Sequence, residues 1–197
     1  MKRLFKEHSY TIFRLIGFQL VSALLGFITA SATAAMSVSW ALPASSVFCI
    51  GFYLTIIAVI CYEYGQKDGI RIESGKMKKN PYKFFILGFV ANAFNLLLGL
   101  VAVIGRLCIG APLSGILADS YSPAWVATLQ EVCALIARAI QAMYLGLVQA
   151  ISAHSVLLLV VIPFPAILTA GGAYLLGIRY KDGFKNRVNG TKIDRYS

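Results

Sequence analysis

Four stretches of the chain run almost without charge: Leu15–Met36, Ser45–Tyr64, Phe84–Gly105 and Ser155–Ile178. A helix needs roughly 20 apolar residues to cross a hydrocarbon core about 30 Å thick, and each stretch meets that length. None contains Lys, Arg or Asp, and Glu63, near the end of the second, is the one acid among them. The pattern predicts an all-α, polytopic bundle with four transmembrane helices and both chain ends on one side. Asn80 and Pro81 predict the start of the third helix, since Asn caps exposed N–H groups and Pro lacks the N–H that would be orphaned there. Pro163 and Pro165 predict a bend in the fourth, because each removes a donor and frees the carbonyl of Leu159 or Val161.

The segment from Arg106 to His154 follows neither the pattern of a loop nor that of a span. Leu107 to Ala118 is apolar but short and contains Pro112, which suits a re-entrant or surface-lying piece. Residues 124–152 have helical periodicity, with Glu131, Arg138, Gln141, Gln149 and Ser152 on one stripe. We read them as an amphipathic helix at the outer surface or folded into the bundle. The alternative is six crossings from a duplicated hairpin. Lys67-Asp68-Gly69 recurs as Lys181-Asp182-Gly183, Leu54-Thr55 matches Leu168-Thr169 at the same offset, and the first span then overlies Leu129 to Ala150.

Composition fixes the class and charge fixes the orientation. The 197 residues are 58% hydrophobic and 13% charged, with mean hydropathy +0.74, which excludes an ordinary water-soluble domain. All 18 Lys and Arg except Arg106 and Arg138 lie before the first span, in the 65–83 loop, or in the 179–197 tail. Short cationic segments stay in the cytoplasm during insertion, so these three regions are expected there. A plasma-membrane, multi-pass protein follows, with the bilayer and anionic lipids at the inner face as partners. The formal charge of +10 comes without the basic, aromatic surface that nucleic acid requires. Tyr64 and Tyr82 flank the inner ends, and Trp40, Tyr121 and Trp125 the outer. A cleaved signal peptide is the alternative for the N-terminus, given its basic start, apolar stretch and the small residues Ser31 to Ala35.

The loop from Gly65 to Lys79 carries a resemblance. A span ending in Gly65, Asp68 three residues later, an apolar residue, Gly75 and the basic cluster Lys76, Lys78 and Lys79 are similar to the first cytoplasmic loop of a group of small, uncharacterised multi-span membrane proteins of Gram-positive bacteria. Tyr174 to Gly177 resembles the end of that group's last span. Position 70 departs from the pattern, with Ile where the group carries Asn. The resemblance implies a bacterial membrane protein and no known activity.

Candidate chemistry is sparse. Gly88, Asn92, Asn95 and Gly99 line one face of the third span, and buried amides there, with Gln19 of the first, either bond neighbouring helices or line a polar pathway. Glu131, Arg138 and His154 are the weak catalytic candidates for an enzyme acting on a lipid or peptide at the outer face, with no adjacent nucleophile. His8 and His154 have no ligand partners at metal spacing, and Cys49, Cys61, Cys108 and Cys133 stand isolated in apolar sequence, so no metal and no cofactor is expected. Asn189-Gly190-Thr191 fits the glycosylation pattern but falls in the expected cytoplasmic tail. No phosphate-binding loop, nucleophile elbow or HExxH motif occurs. Small residues at four-residue spacing form two expected packing stripes, Ser22, Gly26, Ala30 and Ala34 on the first span and Thr169, Ala173 and Gly177 on the last. The reading that results is a non-catalytic, transport-related protein, or a membrane component assembling with itself or another membrane chain. A small membrane enzyme and a substrate-binding transporter subunit are the alternatives.

Overall fold

The computed structural model describes residues 2–36, 38, 40–108, 124–152 and 155–193, with side chains described for 9–36, 38, 40–108, 125–151 and 155–179. His154, Asp119, Tyr121 and the apolar piece 109–118 lie outside these residues. Within them every element is helical: α1 (Lys2–Ala34), α2 (Ala41–Glu73), α3 (Lys83–Cys108), α4 (Ala124–Ile140), a 3₁₀ turn (Ala142–Tyr144), α5 (Leu145–Ser152), α6 (Leu158–Val161) and α7 (Pro163–Ile193). Four segments are long and apolar enough to cross a membrane, namely Ser9–Ala34, Ala41–Glu73, Lys83–Cys108 and Leu158–Arg179. Large apolar side chains stand exposed along them, among them Phe27, Phe48, Phe94 and Leu168. A water-soluble monomer does not tolerate so much exposed apolar surface, and four such helices are consistent with a membrane-embedded bundle.

The first difference from the sequence pattern is in α2, which continues as helix through Glu73 into the stretch read as a loop. Its buried positions Cys49, Tyr53, Ile57, Cys61, Gly65, Asp68 and Gly69 keep helical spacing past Tyr64, so the packed face does not stop where the apolar run stops. That face lies on α7, the most extensive helix pair in the structure. The backbones nearly touch. A Cβ on Gly65 would overlap the Tyr174 carbonyl oxygen and lie 3.0 Å from the Gly177 Cα. Helix α2 then ends in a Schellman motif, where Gly75 takes φ +70°, its N–H bonds to the Ile72 carbonyl at 3.1 Å, and the Lys76 N–H reaches the Arg71 carbonyl at 3.0 Å. Asn80 Oδ1 accepts the Tyr82 N–H at 3.2 Å and opens α3 behind Pro81.

The second difference is that residues 124–152 do not form one amphipathic helix. Two segments, Trp125–Ile140 and Ala142–Ile151, meet at 79°. Neither Pro nor Gly sits at the break, so neighbouring helices impose it. Gly26 of α1 presses on the backbone of Ala142 and Met143, and Gly146 of α5 receives the backbone of Leu42. The Gly146 N–H, free of its helical acceptor, donates to Ser46 Oγ at 2.8 Å. Because the chain turns, the expected polar stripe is not continuous. The buried side of α4 carries Gln130, Ala134, Ala137 and Gln141, and Glu131 is exposed.

Between Val161 and Pro163 only Ile162 falls outside the helices, and it keeps helical dihedrals and donates its N–H to the Leu158 carbonyl at 2.9 Å. Leu158–Arg179 runs on as one crossing segment, without the sharp break seen after Ile140, so the bend expected at Pro163 and Pro165 is reduced to a carbonyl left without its helical donor. On α1, Ser22 and Gly26 are buried, Ala30 is half-buried and Ala34 is exposed; on α7, Ala173 and Gly177 are buried and Thr169 is half-buried, its hydroxyl donating to the Pro165 carbonyl at 2.7 Å.

Candidate functional site

The break after Ile140 lies against the proline-bearing span. Pro163 has no N–H, so the carbonyl of Leu159 loses its helical donor. Gln141, at the α4 break, supplies the replacement: its Nε2 donates to the Leu159 carbonyl at 3.0 Å and to Asn95 Oδ1 of α3 at 2.9 Å. One buried amide therefore joins three helices and satisfies the carbonyl that proline orphaned. Asn92, one turn earlier on α3, donates to the Gly88 carbonyl at 3.0 Å, a bond within its own helix.

Gln141 also separates two spaces. On one side is a tight polar pocket of about 10 Å³, with Gln19, Tyr53, Asn92, Asn95 and Tyr144 in its wall; this is the size of one water molecule. On the other is a cavity of about 130 Å³ lined by Arg138, Gln141, Leu145, Val148, Gln149, Leu159 and Ile162. Among the described residues four buried polar atoms have no protein partner: Gln141 Oε1 and Tyr144 OH at this joint, Ser22 Oγ on α1 and Gln130 Oε1 on α4. Burying such groups unbonded costs about 1–3 kcal/mol each, so a native structure holds them for a reason.

Gln19, Asn92 and Asn95, the intramembrane polar residues named from sequence, thus share one pocket wall. Of the three catalytic candidates, two can be placed. Arg138 is half-buried and lines the larger cavity, Glu131 is exposed and outside its wall, and His154 lies beyond the described residues. Arg138 makes no ion pair within the described residues.

A second polar assembly sits near the opposite end of the bundle. Asp68 of α2 is 3% exposed and Lys83 of α3 is 5% exposed, with Lys83 Nζ 2.7 Å from Asp68 Oδ2. The Tyr174 hydroxyl donates to the same oxygen at 3.0 Å, and Arg71 stands 3.9 Å from Oδ1. The Tyr174 ring stacks on Phe84 with centroids 4.4 Å apart, so charge, hydroxyl and ring tie α2, α3 and α7 together. With its charges paired and donors matched, this group is a fastening rather than a reactive centre.

Sequence reasoning passed over Asp68, Lys83, Gln130 and the role of Tyr174. The available signal for Asp68 was the buried spacing running on from Cys61 and Gly65, and for Gln130 its place at the head of the helical series Gln130, Ala134, Ala137 and Gln141, whose successive steps are four, three and four residues. Among the described residues no group of His, Cys, Asp or Glu is placed to hold a metal ion. Comparison with family models, curated proteins and solved structures returns no match to the chain, so the loop resemblance stays confined to the residues that carry it.

Proposed function

We propose that the protein is a multi-pass membrane protein that binds a small solute for transport rather than catalysis. In this reading both ends and the 74–82 turn are cytoplasmic, and the larger cavity opens toward the other face. The observation that carries the reading is the Gln141 joint. A helix broken inside the bundle, with a cavity at the break and a buried amide meeting a carbonyl that proline frees, is similar to the arrangement by which membrane transporters expose backbone and amide groups to a solute. No nucleophile and base meet at the cavity wall, which is why binding is favoured over chemistry. Orientation rests on the cation clusters. The same clusters give the cytoplasmic face its attraction for anionic headgroups. The cavity lies toward the start of the last crossing segment, since Leu159 and Ile162 are near Leu158 and the 74–82 turn lies near its other end.

Thiol labelling tests both statements at once. In a background with Cys108 and Cys133 replaced by Ser, Val148→Cys is expected to react with a membrane-impermeant maleimide in intact cells, and Lys78→Cys is expected to react only after permeabilisation. A reactive Lys78→Cys in intact cells contradicts the orientation. A Val148→Cys that is unreactive from both sides contradicts the cavity as a solute site.

A further inference from the structure

The larger cavity has a wall whose chemistry selects among solutes. Among the described residues of its lining Arg138 is the one charged group, and none is acidic. Within the described residues no carboxylate pairs with this guanidinium, although Arg138 is half-buried and a partly desolvated guanidinium is strongly favoured to hold an oxyanion through two parallel N–H donors. Gln141 is 3% exposed, both of its donor bonds are committed to Asn95 and Leu159, and its Oε1 is buried out of reach of the cavity space, so it shapes the wall and leaves the polar contact to Arg138. The remaining lining is Leu145, Val148, Leu159 and Ile162 with Gln149 beside them, a surface for an apolar body.

From these features we infer that the cavity binds a small amphipathic monocarboxylic acid, with the carboxylate on Arg138 and a branched or ring-sized apolar body against the aliphatic wall. This rests on the solute-binding reading and narrows it. One guanidinium balances one negative charge, which favours a monoanion over a phosphomonoester. The volume of about 130 Å³ is close to an aliphatic cavity that holds a benzene ring, so the body has about six carbons. A lipid phosphodiester carries the same single charge, and the phosphatidylglycerol arm of the experiment separates it from a free acid. A cation or a neutral sugar would leave Arg138 uncompensated.

The experiment uses the full chain in nanodiscs of zwitterionic lipid and measures binding of 4-methylpentanoate and its methyl ester. The acid is expected to bind. The ester, which lacks the charge, is expected to bind about ten-fold more weakly or worse. Arg138→Gln should lose the difference between acid and ester, and Arg138→Lys should keep the preference for the acid at reduced affinity. Val148→Trp, which fills the cavity, should abolish binding of both. Equal binding of acid and ester, or an acid preference that survives Arg138→Gln, overturns the assignment. If the neutral ester binds and Val148→Trp removes it, the cavity remains a solute site and only the acid class falls. If nothing binds at millimolar concentration and Val148→Trp changes nothing, both fall. Stabilisation by anionic phosphatidylglycerol alone, with no response to the free acid, overturns the assignment in favour of a lipid headgroup.

Discussion

Asp68→Ala is expected to cost the folded protein about 3–5 kcal/mol, because it leaves the ammonium of Lys83 buried with no counter-charge. Lys83 is 5% exposed and its Nζ is 2.7 Å from the carboxylate, so neither water nor a rotamer change replaces the partner easily. The loss extends beyond one pair. The Tyr174 hydroxyl also gives up its acceptor, and α3 and α7 are then held to α2 at this end by apolar packing alone. Tyr174→Phe, which removes one hydrogen bond and keeps the ring on Phe84, should cost only about 0.5–1.5 kcal/mol. Asp68→Ala combined with Lys83→Met should recover most of the loss, since replacing both members of a buried pair by apolar groups is often neutral. Unfolding midpoints of the purified protein in detergent measure all three. Wild-type stability in the Asp68→Ala variant would show that Lys83 reaches solvent and that the assembly does not fasten the helices.

Gly26→Leu is expected to disrupt the joint at Gln141 from a distance. The α1 backbone at Gly26 touches the backbone of Ala142 and Met143, so a side chain there has no flexible neighbour to displace and must push α1 off the 3₁₀ turn. Overpacking of this kind costs about 1–3 kcal/mol where side chains can adjust, and here the obstacle is main chain, so the upper end or more is expected. The same substitution along the stripe should fade in effect. Ala30 is half-buried and Ala34 is exposed, so Ala34→Leu should fall within about 0.5 kcal/mol of wild type. Thermal stability together with size-exclusion behaviour reads the gradient. Uniform tolerance from Gly26 to Ala34 would mean that α1 does not rest on the turn.

The sequence made the long helices legible because membrane length and uncharged runs are strong constraints. It also marked the carbonyl of Leu159 that Pro163 leaves without a donor, since a missing N–H is a local property. What it concealed was tertiary. The bend after Ile140 has no proline and no glycine of its own; it arises where Gly26 of α1 and Leu42 of α2 approach the chain. A single helix over 124–152 was therefore the natural reading, and with it a polar stripe through Glu131 that the bend dissolves. Gln141 could be recognised as polar within an apolar helix, but not as the donor to Leu159, because nothing local joins residues 18 positions apart. The 65–83 loop was misjudged for a related reason. Charges marked it as solvated, whereas α7 buries one of those charges, Asp68, along a face that continues the apolar spacing of the span.

Asn92 and Asn95 show how far a polar line on one helix can be interpreted. Their shared face was visible, but their roles differ: Asn92 bonds back to Gly88 within α3, and Asn95 receives Gln141 across the bundle. Interhelical amide bonds in lipid contribute about 0.6–2 kcal/mol, which makes the Asn95 contact part of the architecture as well as part of the pocket wall.

The measurement that bears most directly on the solute site is native mass spectrometry of the protein extracted in mild detergent, comparing wild type with Val148→Trp after size exclusion has shown both to be folded. The account predicts a bound small molecule on the wild-type protein and none on the variant whose cavity is filled. Wild-type and Val148→Trp spectra that carry the same bound species, or none in either, would contradict it.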